Sequence, residues 1–204
     1  MEQLIREKVK ASMSYEEYRA LMGKLVAEGK TTGPNQSESM ANYTRMNESR
    51  MKRLDKTFKL GEELKELSQN LEKDYIWLVI TEAWCGDAAQ TVPIIQKIAE
   101  QSAKIELRIV LRDEHPDLME KFLTDGAKSI PKLIIIDKNS MQVERDWGPR
   151  PAPAQEMLMD FKANPDLSYS EFSLNLQKWY NQDKGETTQK ELIQTFKSPA
   201  QLYI

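Results

Sequence analysis

Cys85 is the only cysteine in the 204-residue chain, and it stands in the run Trp84-Cys85-Gly86-Asp87-Ala88, where an apolar stretch gives way to helical periodicity. A thiol in that place points to nucleophilic sulfur chemistry. The residue that opens a helix faces unpaired backbone N–H groups and the positive end of the helix dipole, both of which favour an anion. A thiol held there can fall from about 8.5 into a range of roughly 3.5 to 7.5, which raises its thiolate fraction at neutral pH. Asp87 opposes this where its carboxylate lies close, because a neighbouring negative charge disfavours thiolate. As a first-turn acid it also complements the dipole, the more ordinary role. Arg150, in the segment Gly148-Pro149-Arg150-Pro151, is a second candidate for tuning, either lowering the thiol pKa or holding the anionic group of a small thiol. The competing readings make Cys85 a buried, inert small hydrophobe and Arg150 a solvated loop residue.

The elements that must position these residues follow from periodicity. Tyr75-Ile76-Trp77-Leu78-Val79-Ile80 is six consecutive apolar residues of aromatic and branched type, as expected of a strand covered on both faces. Ile105–Leu111 and Leu133–Ile136 are two further strand candidates. Met141–Trp147 can pair with the latter through a turn at Asp137–Ser140. A helix begins at about Cys85 and carries Val92, Ile94, Ile95, Ile98 and Ala99 at helical spacing. A short one spans Asp117–Leu123. The order is strand, helix, strand, helix, strand, strand. Residues 1–73 read as a helical extension. Ser14 and Glu17 form a capping box for a helix that stops near Gly29, 31–39 has linker composition, and helical patterns follow through 40–54 and 60–71. Past Gly148, helices are predicted over 154–161, 169–180 and 187–196. The chain thus divides into an extension, 1–73, and a domain, 74–204, of which 151–204 is the helical C-terminal part.

Composition narrows the function. A net charge of -3 and 30% charged residues leave no basic excess for a phosphate backbone, so nucleic acid is not an expected partner. No stretch approaches the roughly 20 apolar residues of a membrane span. The charged start Met1–Lys10 lacks the apolar stretch of a secretory signal, and one cysteine cannot form an internal disulfide, so the expected location is cytoplasmic. One histidine, His115 in a solvated loop, and one cysteine make no zinc set, and no metal site is expected. Met40, Met46 and Met51, at near-helical spacing, read as core filler.

Trp84-Cys85-Gly86, the helical Pro93 eight residues after the cysteine, and Ile130-Pro131 directly before a strand together resemble the thioredoxin superfamily over roughly 74–149. The resemblance implies a three-layer α/β/α sandwich with a mixed central sheet, here with helical extensions at both ends. It implies Cys85 as the nucleophile, Trp84 as its flanking aromatic with Gly86 beside it, and a cis Ile130–Pro131 bond that presents backbone to a bound peptide. Two departures limit it. Ala88 stands where the family's Cys-x-x-Cys motif has its second cysteine, and Val79 where it keeps a buried acid. Without a resolving thiol, a mixed disulfide persists until an outside thiol attacks.

Two functions fit this pattern. One is monothiol thiol-disulfide exchange through Cys85 with protein or low-molecular-weight disulfides. It needs no bound cofactor, and an external thiol such as glutathione completes the cycle. The other is a redox-inactive binding or scaffold protein that retains the fold. A homodimer, through a Cys85-to-Cys85 bond or the helical surfaces, is compatible with both.

Overall fold

The computed structural model describes residues 1–164, 166–201 and 203. The apolar run after Asp74 becomes β1 (Tyr75–Thr81), and every one of its residues is buried. It lies between β2 (Ile105–Leu111), which it pairs in parallel, and β3 (Lys132–Asp137), which it pairs antiparallel. β4 (Val143–Trp147) adds antiparallel to β3 with a register shift at Ile135/Ile136, so the four-stranded sheet among the described residues runs β2-β1-β3-β4. β3 is likewise buried throughout. Two adjacent strands without an exposed face require helices on both sides, which makes this mixed sheet the centre of a thioredoxin-like α/β sandwich.

The N-terminal segment folds as α1 (Glu2–Ala11), α2 (Tyr15–Glu28), α3 (Glu38–Thr57) and α4 (Glu62–Gln69). α2 starts on the reciprocal Ser14/Glu17 capping box and ends at Gly29 in the left-handed conformation, φ 65°. α1 was not predicted, because its charged sequence shows little apolar periodicity, although Ile5 is fully buried. Between α1 and α2, Met13 exchanges backbone hydrogen bonds of 2.9 and 2.8 Å with Ile109 and covers the outer edge of β2. Ile5, Tyr18, Met22, Met51 and Leu64 belong to the same buried cluster as the sheet.

α5 (Gly86–Ala99) follows β1 with Pro93 inside it. The next helix is shorter than the expected Asp117–Leu123 and covers only Pro116–Met119, as α6. After β4 come α7 (Ala152–Ala163), α8 (Tyr169–Asp183) and α9 (Glu186–Lys197). α7 and α8 share a second small cluster of Ala154, Phe172, Leu176 and Tyr180. α9 returns to the sheet, where Phe196 lies 5.2 Å from the Trp77 ring. Among the described residues no helix is long and apolar enough to cross a membrane.

Candidate binding site at the start of α5

Cys85 is the N-cap of α5. Its Sγ accepts from the Ala88 N–H at 3.5 Å and donates to the Ile130 carbonyl at 3.3 Å. The Ile130–Pro131 bond is cis, and so is Gly148–Pro149. Gly148 has φ 115°, and a Cβ there would collide with the Pro131 carbonyl oxygen, so the end of β4 is clamped onto the loop that meets the sulfur. Cys85 is only 7% exposed. Burial, with the Asp87 charge as a second cause, pushes its thiol up to about 12, against the opposing pull of the Ala88 N–H and Arg150. The thiol therefore sits in the buried environment, not the exposed one that the Trp-Cys-Gly context suggests.

Asp87 explains much of this. It is a first-turn acid of α5, but it is buried and fully engaged. One carboxylate oxygen accepts from Arg150 Nε at 3.0 Å and Nη2 at 2.7 Å, and the other from Tyr180 Oη at 2.7 Å. Arg150 also donates to Gln155 at 2.9 Å. Arg150 is thus an anchor in a nearly closed ion pair rather than a solvated loop residue, and Asp87 opposes its pull on the sulfur.

The loop before the cysteine is held from the other side. The Ala83 N–H donates to Thr32 Oγ1, and Asn47 Nδ2 donates to the Ala83 carbonyl, both at 2.9 Å. Asn47 in turn accepts from Arg50 Nη1 at 2.8 Å. Across α5, Gln90 Nε2 donates to Gln177 Oε1 of α8 at 2.8 Å. At Gly86 a Cβ would lie 3.3 Å from Gln177 Nε2, a close approach by the end of one side chain.

α3, α8 and the loops after β1 and β2 leave between them a cavity of about 540 Å3. Trp84, Gly86, Asp87 and Arg150 line it, together with Met40, Tyr43, Arg50, Arg112, Tyr169 and Phe172. Arg112 stacks over the Trp84 ring, 4.8 Å from its centroid. Cys85, Ile130 and Pro131 are not in its wall, so the expected site divides into a cavity-facing set and a set behind it. Met40 faces this cavity and Met46 is 41% exposed, so of the three methionines only Met51 is core filler. Among the described residues no group of His, Cys, Asp and Glu could hold a metal ion.

Asn47, Arg50, Gln177 and Tyr180 escaped the sequence reading. The signal for Asn47 was present, because Thr44, Asn47, Met51 and Leu54 repeat every three or four residues on the buried face of α3. Tyr180 similarly continues the Phe172, Leu176 stripe of α8.

A thioredoxin-like sandwich with a single cysteine capping the helix after its central strand defines the class. A family model described as thioredoxin matches residues 33–162, more than half of the chain, and the chain belongs to the thioredoxin family. No curated protein matches it. Among solved structures it is similar to an HIV epitope-scaffold, at 19% identity and TM-score 0.54, covering 92% of this chain and 100% of that one. It is also similar to a protein of unknown function from Pseudomonas aeruginosa, at 18% identity and TM-score 0.53, covering 91% and 98%. At these identities the likeness is one of fold.

Proposed function

We propose that the chain is a thioredoxin-family binding protein whose ligand occupies the cavity at the start of α5, with Cys85 serving as a structural cap. The carrying observation is that the sulfur is buried, hydrogen-bonded as both donor and acceptor, and absent from the cavity wall. Burial holds the thiol well above its ordinary value, so Cys85 is kept protonated at neutral pH and is a poor nucleophile. Of the two candidates for tuning it, Asp87 raises the thiol and holds Arg150 in an ion pair. Ligand uptake uses the surface of Trp84 and Gly86 and needs no cofactor. The charged, single-cysteine sequence supports a cytoplasmic setting.

One observation favours a second reading. The Ala88 N–H already points at the sulfur, which is the interaction that would stabilise a thiolate once the surrounding chain opened. Cys85 would then attack a protein or small-molecule disulfide, form a mixed disulfide and release one thiolate. An external thiol such as glutathione would attack that mixed disulfide and restore Cys85.

The two readings separate in an assay of glutathione-dependent reduction of a small disulfide by the native protein and Cys85→Ser. The binding reading expects both at the uncatalysed rate. Turnover by the native protein that vanishes in Cys85→Ser would establish monothiol exchange instead.

A further inference from the structure

The cavity wall holds three guanidinium groups and two carboxylates: Arg50, Arg112 and Arg150 against Asp87 and Asp113. Arg150 pairs with Asp87 at 2.7 Å and Arg112 with Asp113 at 2.8 Å. Arg50 is left over. Its hydrogen-bond partner is the neutral amide oxygen of Asn47, and among the described residues no carboxylate forms an ion pair with it. Burial and the nearby Arg53 both disfavour its charged form, against a smaller opposing effect of Tyr43. A half-buried guanidinium without a counterion is costly, and it faces a space that Tyr43, Trp84, Tyr169 and Phe172 also line.

We infer that the cavity binds an aromatic organic monoanion, its carboxylate or sulfonate head on Arg50 and its ring system against Trp84, Tyr43 and Phe172. This rests on the binding reading above and names the ligand class for the same site. Arg50 is the one cation of the wall without a carboxylate partner, which matches a ligand head carrying a negative charge. Planar guanidinium binds a carboxylate or sulfonate through two parallel N–H donors, and the rings supply apolar area for the body of the ligand.

Two fluorescent probes of nearly the same shape test this. Anilinonaphthalene sulfonate carries one negative charge, and N-phenyl-1-naphthylamine carries none. Each is titrated against the native protein, Arg50→Gln, Arg50→Lys and the cavity-filling Ser173→Trp, with melting temperatures recorded so that unfolding is not mistaken for binding. The expected result is saturable binding of the sulfonate, about tenfold or more tighter than the neutral probe, lost in Arg50→Gln and only partly kept in Arg50→Lys, which preserves the charge but not the paired donors. Equal binding of both probes, blocked by Ser173→Trp, would overturn the anion preference and leave the binding reading standing. Failure of Ser173→Trp to affect either probe, or no binding of either, would overturn both.

Discussion

Asn47 of α3 reaches across to donate a 2.9 Å hydrogen bond to the carbonyl of Ala83, two residues before the cysteine. Thr32 accepts from the N–H of the same residue, so both polar groups of Ala83 are satisfied by side chains from the first 73 residues. The helical extension therefore frames the loop that carries Cys85, and its removal would strand buried backbone groups.

Asn47→Ala should accordingly destabilise the protein by about 1–3 kcal/mol, the cost of leaving a buried carbonyl without its donor. Urea denaturation measures it. Asn42→Ala, which removes an acceptor for an exposed Arg45 contact, is the control and should stay within about 0.5 kcal/mol of the native value. Equal effects from the two would show that the Asn47 contact contributes nothing particular.

Asp87→Asn should be more damaging, because it leaves Arg150 buried without its counterion. The two side chains are 9% and 12% exposed, and breaking a pair at that depth costs about 3–5 kcal/mol. The same change removes the second cause of the raised thiol and frees an adjacent positive charge, so Cys85 should react faster with iodoacetamide at fixed pH. A stability loss below about 1 kcal/mol, as for exposed pairs, would contradict the buried-pair assignment.

Glu82, at the end of β1, predicts a pH dependence. Burial raises its carboxyl above the ordinary value, and one of its oxygens is buried without a hydrogen-bond partner. At low pH the group is protonated in both folded and unfolded chains. As pH rises through the usual carboxylate range the unfolded chain loses its proton first, so the stability associated with Glu82 declines until the folded group ionises as well. Glu82→Gln should therefore gain stability relative to the native protein as pH rises through and above the usual carboxylate range. A constant difference across that range would show that Glu82 is not held protonated.

Gly148→Ala should cost at least about 1 kcal/mol, since its φ of 115° is poorly accessible to other residues and the added Cβ would meet the Pro131 carbonyl. Thermal denaturation reads this directly, and a neutral outcome would mean that the contact between the end of β4 and the Pro131 loop gives way easily.

The sheet was legible because β1 and the middle of β3, Leu133–Ile136, are unbroken apolar runs. The start of α5 was legible because Trp84-Cys85-Gly86 follows the first such run. The state of the sulfur was not. It depends on Asp87, Arg150 and Tyr180, which lie up to 93 positions apart and meet only when α8 folds back over α5. Arg150 in a Pro-rich segment looks solvated until Asp87 is found 2.7 Å away. Arg50 and Asn47 looked like ordinary polar residues of a basic helix, although Asn47, three residues after Thr44 and four before Met51, lies on its buried stripe.

The most direct test of the account is the pH dependence of iodoacetamide alkylation at Cys85 in the folded protein. Labelling should be slow from neutral pH to about pH 9, rising only well above the ordinary cysteine value or when the chain is unfolded. Rapid labelling of the folded protein with a midpoint below about 8.5, the ordinary cysteine value, would contradict it and restore Cys85 as a nucleophile.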